Sequence, residues 1–198
     1  MIDATDFVGG ALSLDFLNTV GGIRSGSHQD KLETYRDLLD WAVLGHGLTQ
    51  SKADRLAALA ERDPARAAKE LAEAKVFREA LHAMFAAHLH GHTAPKDAVA
   101  RVNTEIGRAL SHARLAPDGE HYVWGWDDTD ALDAPVWAVA RDAGELLTRG
   151  PLDRLTECAS DTCGWFFLDT TKNRSRRWCD MKGCGNRDKV RRYRSKSG

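Results

Sequence analysis

Apolar side chains recur at helical spacing through most of the first 150 residues. Five segments carry an apolar residue every three or four positions, and most begin or end at a capping or helix-breaking residue. Thr49 is placed to cap one helix, Pro64 and Pro95 open others, and Gly91 ends one. The pattern therefore predicts helices over Leu32–Ala42, Thr49–Arg62, Pro64–Leu89, Pro95–Leu110 and Pro135–Leu147. On the third helix, the residues expected to face the core are Leu71, Val76, Phe77, Leu81, Met84 and Phe85.

Two further stretches lack this helical spacing. The turn Pro117-Asp118-Gly119 separates Ala113–Ala116 from Glu120–Trp126, which predicts a β-hairpin. In the opening stretch Gly9–Gly22 the apolar positions fit a short strand and a helical turn equally well, so its conformation stays open. Gly21–Asp30 is expected to be an exposed loop.

The predicted fold class is mainly α. A helical N-terminal domain with a small β-hairpin is expected over residues 1–152, because Gly150-Pro151 ends the last of its helices. A small four-cysteine module ending in a basic helix is expected over residues 153–198.

Charge is distributed unevenly along the chain. The net formal charge is −1, but residues 154–198 hold 12 Lys and Arg against 5 Asp and Glu, which gives +7, and residues 1–153 hold 16 against 24, which gives −8. A basic segment after an acidic body points to a polyanionic partner. A solvated basic terminus that aids solubility is the alternative.

The four cysteines of the chain all lie in the basic segment. Cys158 and Cys163 form one pair and Cys179 and Cys184 another, each with four intervening residues. Two short loops with paired thiolates are what a tetrahedral zinc site requires, so one zinc ion per chain is expected. Two disulfides would need an oxidising compartment. The neighbouring Trp165, Phe166, Phe167 and Trp178 are expected to cover the metal and join the module to the body.

Basic residues follow each of the two cysteine pairs. A polar loop lies between the pairs, and Asn186 can cap a terminal helix on which Arg187, Arg191 and Arg194 form one stripe. Val190 and Tyr193 are expected to pack on the zinc core. A cationic face of this kind suits DNA phosphates and guanine edges. The candidate DNA-binding residues are Lys172, Arg174, Arg176, Arg177, Arg187, Lys189, Arg191, Arg192 and Arg194.

Other function classes find less support in the sequence. No nucleophile elbow, phosphate-binding loop or zinc-protease motif occurs, so no enzymatic activity is expected. The cluster His88, His90 and His92 is expected to interact with the dipole of a helix C-terminus rather than to bind a metal, because Gly91 interrupts the helix. The first ten residues carry two acidic and no basic side chains, and apolar runs are short, so a cytoplasmic protein without a membrane segment is expected.

The segment from Arg154 to Lys196, which includes Cys184-Gly185-Asn186-Arg187, resembles the CGNR zinc finger. The opening GGALSLDFLNT resembles the start of the ABATE domain, a mainly helical partner that commonly precedes this finger. The resemblance implies a bacterial, stress-linked transcription regulator whose N-terminal domain senses an unknown small-molecule ligand. It marks Asp15, Asn18 and Thr19 as candidate ligand-binding residues, although Asp15 and Asn18 could instead cap the following segment.

The sequence therefore predicts a regulator that binds DNA through its zinc finger. The alternative is an RNA-binding or protein-interaction module that uses the same finger. The DNA sequence, the ligand and the oligomeric state do not follow from the residues.

Overall fold

The computed structural model describes residues 2–21 and 29–196, with Arg192, Ser195 and Lys196 described by their backbone alone. The chain is 58% helical, which confirms the predicted mainly α class. The helices are α1 (Leu12–Leu17), α2 (Tyr35–Leu44), α3 (Gln50–Arg62), α4 (Pro64–Leu89), α5 (Lys96–His112), α6 (Trp137–Arg149) and α7 (Asn186–Lys196). The strands form the antiparallel pairs β1 (Val20–Gly21) with β2 (Gln29–Asp30), β3 (Ala113–Asp118) with β4 (His121–Trp126), and β5 (Leu155–Glu157) with β6 (Phe166–Leu168).

Side-chain caps fix the start of several helices. The Thr34 hydroxyl accepts from the Asp37 backbone N–H, and the Asp37 carboxylate accepts from the Thr34 N–H, which forms a capping box at α2. Thr49 accepts from the Lys52 N–H at the start of α3, as the sequence predicted. Pro64 occupies the first turn of α4, where its missing N–H costs nothing. These local signals explain why the predicted helix boundaries hold.

The opening stretch, which the sequence left open, forms the short helix α1. This helix packs against α4, α6 and strand β6, and Leu14 and Phe16 are completely buried. Gly9 precedes it at a point where a Cβ atom would lie 2.8 Å from the Cβ of Leu14, so only glycine fits there. Helix α1 is thus at the centre of the core, between the helical body and the cysteine-rich segment.

Val76, which was expected in the core, lies at the surface, and so does Leu110 at the end of the fourth predicted helix. Val76 on α4 is 53% exposed and Leu110 on α5 is 48% exposed. Each helix buries one stripe only, and these two side chains lie beside that stripe; single exposed aliphatic residues are common. Although α4 has 26 residues, none of the helices in the described part of the chain is long and apolar enough to cross a membrane.

Candidate metal centre and basic helix

The four cysteine sulfurs converge on one point. Cys158, Cys163, Cys179 and Cys184 are all buried, and their Sγ atoms lie within 4.8 Å of one another. The Sγ atom of Cys179 lies 3.7 Å from that of Cys163 and 3.6 Å from that of Cys184. Four ligands at a Zn–S distance of about 2.3 Å lie about 3.8 Å apart in a tetrahedron. The sulfurs therefore fit one zinc ion.

The thiols are free, which excludes the disulfide alternative among them. A zinc ion bound by four thiolates carries a net charge of −2. Since the loaded site adds four negative and two positive charges, the formal charge of residues 154–198 falls from +7 to +5. The finger keeps a basic character when the metal is bound.

Tight backbone turns present the sulfurs. In the first pair, the Cys158 N–H donates to the Trp165 carbonyl at 2.8 Å, and Gly164 has a φ of +92°, which favours glycine. In the second pair, the Asp180 carboxylate accepts from the Gly183 N–H at 2.5 Å. Its carbonyl accepts from the Gly185 N–H at 2.9 Å. This turn leads directly into α7, so the metal site fixes where the basic helix begins.

Arg187, the last residue of the Cys-Gly-Asn-Arg motif, contacts the metal site. Its guanidinium donates to the Cys184 Sγ atom at 2.9 Å. The pKa of Cys184 lies well below its usual range because the thiols of the other three cysteines donate to its sulfur, and Arg187 adds to this effect. Hydrogen bonds to ligand atoms orient a metal site and hold its ligands ionised. Arg187 thus supports the thiolate whatever else it contacts.

Arg176, another predicted DNA-binding residue, lies inside the finger. Its guanidinium donates to the carbonyl oxygens of Val8 and Trp178, both at 3.0 Å, and to that of Cys179. It also lies 4.3 Å from the centre of the buried Phe167 ring. The side chain joins the finger to the start of the chain.

Other predicted DNA-binding residues lie on the exposed side of the finger. Lys172, Arg177, Lys189 and Arg194 are exposed, and Arg177 lies over the Trp178 ring at 5.3 Å. Arg174 has a φ of +50° and pairs with Asp153. The side chain of Arg192 lies outside the described residues.

The arginine stripe of α7 lines a groove of about 470 Å³. Its lining includes Lys182, Asn186, Arg187, Arg191 and Arg194. Arg191 pairs with Asp161 and, at 2.7 Å, with Asp188. The three arginines that the sequence placed on one helical face therefore line one groove.

The predicted packing of Val190 and Tyr193 on the zinc core is wrong. Val190 is 46% exposed and Tyr193 is 75% exposed. The turn before α7 aims the helix so that Asp188, which is 7% exposed, points inward instead.

Asn18, a candidate ligand-binding residue, joins the body to the finger. Its side-chain amide donates to the Phe166 carbonyl at 2.9 Å and accepts from the Phe166 N–H at 3.0 Å, as a neighbouring strand would. Nearby, the Leu168 N–H donates to the Gly9 carbonyl and the Trp165 indole N–H to the Val20 carbonyl, both at 2.8 Å. The finger therefore docks on the opening motif along its strand β6.

Asp15 and Thr19 are also buried and hydrogen-bonded. Asp15 accepts from the Gly9 N–H at 2.7 Å, and burial raises the pKa of its carboxyl to about 7. Thr19 donates to the Phe16 carbonyl and accepts from Arg78, each within 2.8 Å. These contacts bind groups of the protein itself, as the capping alternative expected. Ligand binding by Asp15, Asn18 and Thr19 stays a prediction.

Arg78 is a structural residue that the sequence did not single out. It is 3% exposed on α4 and makes two hydrogen bonds, of 2.9 and 2.7 Å, to the Asp30 carboxylate. These bonds, with the donation to Thr19, hold the paired strands β1 and β2 against α4. The only sequence signal was an arginine within an apolar helical stripe, next to Phe77. The histidine cluster, by contrast, forms no metal site among the described residues.

Comparison with known families assigns both parts of the chain. The model of the ABATE family, described as "Putative stress-induced transcription regulator", matches residues 10–150. The model of the CGNR zinc finger matches residues 154–197, which include the four converging cysteines. No curated protein matches the chain. The chain therefore belongs to the ABATE family and ends in a CGNR zinc finger whose four cysteines fit one zinc ion.

Proposed function

We propose that this regulator binds duplex DNA through the exposed basic side of its zinc finger. The groove along α7 that Arg187, Arg191 and Arg194 line is the observation that carries the proposal. Guanidinium groups on one face of a helix can neutralise phosphates and reach guanine edges in a major groove. The loop with Lys172 and Arg177 would add contacts to the backbone.

The basic residues divide into two groups in this proposal. Arg176 and Arg187 hold the finger together through carbonyl and thiolate acceptors. Arg194 and Lys189 are exposed, and neither makes an ion pair within the described residues. We assign most phosphate contacts to the exposed group, and to Arg191 once DNA displaces its carboxylate partners. Arg174 and Arg192 stay candidates from the sequence.

Duplex DNA fits this surface better than single-stranded nucleic acid does. Proteins that bind single strands stack bases on exposed aromatic rings. Phe166 and Phe167 are buried, and Trp165 is half-buried with its N–H bonded to Val20. These three rings thus support the junction and are not available for stacking, whereas the exposed Tyr193 ring lies on the basic helix α7.

We further propose that the helical body is the regulatory part and senses a small molecule in the bacterial cytoplasm. The body and the finger share one continuous core, to which Leu155, Phe166 and Leu168 of the finger contribute. A ligand that shifts the body would therefore shift the position of α7. No enzymatic step is part of this proposal.

Selection from a random pool tests the DNA proposal. The zinc-loaded full chain is incubated with random duplexes, and the bound fraction is sequenced over several rounds. We expect a shared duplex motif, and we expect single-stranded RNA of the same sequence to compete poorly. The Arg36→Ala variant is the control for a lost arginine elsewhere on the protein, since Arg36 lies on α2 and pairs with Asp40. It should select the same duplex motif. No enrichment of duplexes, or tighter binding of the RNA, would favour the RNA-binding or protein-interaction alternative.

A further inference from the structure

A cleft of about 930 Å³ lies between the β3–β4 hairpin and the junction of α2 with α3. One wall carries Trp124 and Trp126, which alternate along β4 and so share a face. The lining also includes Leu44 and Leu48 from the end of α2 and the loop after it, and Lys52 and Arg55 of α3. The volume is in the range of small-molecule sites, about 300–1,000 Å³.

Of the two tryptophans in this wall, Trp126 is packed against other rings and Trp124 is exposed. Trp126 packs on Trp137 with ring centres 5.8 Å apart, and Trp137 in turn stacks on His112 at 4.1 Å. Trp124, one step further out, is 51% exposed. An indole held in this way offers a ready surface on which a flat ring can stack.

Two basic side chains of α3 offer this cleft a place for an acidic ligand. Arg55 pairs with Asp128 and Asp130, and the Lys52 amine donates to the Thr129 carbonyl and lies 3.8 Å from Asp128 and 4.0 Å from Asp130. Asp128 is 85% exposed, so its carboxylate can give way to that of a ligand at small cost, while Asp130, which does not line the cleft, keeps its contact with Arg55. Asp127, the other acidic group of the lining, is already paired with His112 and Arg114.

A further cation lies behind the indoles. The Arg141 guanidinium is 5.9 Å from the centres of both the Trp124 and the Trp126 ring. It already provides the cation–π contact of this wall and adds positive potential. Its Glu145 partner lies 3.9 Å away and is 60% exposed, so the charge of Arg141 is only weakly neutralised and favours an anion over a cation at this wall.

We propose that this cleft binds a small planar aromatic acid, with its ring on Trp124 and its carboxylate at Lys52 and Arg55. This cleft would be the place where the helical body senses its ligand. Only the regulatory role of the ligand rests on the proposed function, because binding to the cleft is measured without DNA. None of Asp15, Asn18 and Thr19 lines the cleft.

Calorimetric titration of the zinc-loaded full chain tests the site with three probes of one shape. These are 2-naphthoate, the neutral 2-naphthamide and the cationic 2-naphthylmethylammonium. We expect the acid to bind about tenfold more tightly than the amide, since it alone gains charge-assisted hydrogen bonds. Tighter binding of the ammonium probe, or no binding of the acid at about 1 mM, would overturn the proposal.

Variants locate the probe within the cleft. Trp124→Ala should weaken the acid and the amide about equally, by roughly tenfold, because it removes the stacking surface. Arg55→Gln should weaken the acid alone, and it changes an exposed side chain, so it remains informative if Trp124→Ala fails to fold. Tyr122→Ala, on the same hairpin face but outside the lining, is the control. Acid binding unchanged in Arg55→Gln, or lost in Tyr122→Ala, would contradict the site.

Discussion

Arg187 is a residue whose role follows from one contact, the hydrogen bond from its guanidinium to the zinc ligand Cys184. Removing such an outer-shell partner typically lowers metal affinity by about 10- to 100-fold. We therefore expect Arg187→Ala to release zinc about tenfold faster to a colorimetric chelator. Arg194→Ala is the matched control, because Arg194 lies on the same helix and contacts no sulfur. Equal release rates for both variants would show that the contact does not hold the metal site.

Asp15 makes the stability of the protein depend on pH. Its carboxyl has a pKa of about 7 when folded, against an ordinary value of 3.8, mainly because it is buried. The folded state thus keeps a proton that the unfolded state has lost, so this residue's contribution to the free energy of unfolding falls as pH rises from about 4 to about 7. Between pH 6 and 7 the fall should approach about 1 kcal/mol.

The Asp15→Asn variant should lose this slope, since an amide oxygen can still accept from Gly9 without ionising. Urea unfolding of both proteins at pH 6, 7 and 8 with zinc present measures the difference. Parallel profiles for the two proteins would rule out Asp15 as the titrating group.

Helix α1 and strand β6 join the body to the finger, and Asn18 makes two hydrogen bonds across this junction. Asn18→Ala leaves the buried N–H and carbonyl of Phe166 without partners, at a cost of about 1–3 kcal/mol for each group. We expect a loss of about 3 kcal/mol in the free energy of unfolding, together with easier zinc removal by chelators. Asn103→Ala, at an exposed position of α5, is the control. A normal stability with unchanged zinc retention would mean that the finger does not depend on the body.

The elements differ in how far the sequence predicts them. Thr49, Pro64 and the turn at Gly119 act on residues close to them in the chain, so α3, α4 and the hairpin are predicted almost to the residue. Helix α1 is only six residues long, and its contacts with β6 decide its conformation. No local pattern can indicate that Asn18 pairs with a strand 148 residues away.

The candidate sites, too, are predictable from the sequence only where residues close together in the chain determine them. Paired cysteines predict the metal centre because the chemistry of zinc fixes both ligand type and spacing. The exposure of Val190 and Tyr193 was not foreseen, because the direction of α7 depends on the turn before it. The tryptophan cleft was missed as well, since its walls come from segments about 80 residues apart.

The whole molecule combines an acidic body with a basic finger whose surface charge stays positive once zinc is bound. If α7 binds DNA, affinity must fall with salt as bound phosphates release their counterions. Losing the exposed Arg194 and the groove residue Arg191 should then weaken binding and flatten this dependence, while leaving the zinc ligands untouched.

Fluorescence anisotropy of a labelled duplex at several salt concentrations measures this directly. For the Arg191→Ala/Arg194→Ala double variant, we expect weaker binding and a slope of log affinity against log salt that is reduced by up to about two. The Arg36→Ala control should keep the slope of the unmodified protein. If the double variant binds as tightly as the unmodified protein at every salt concentration, α7 does not contact DNA.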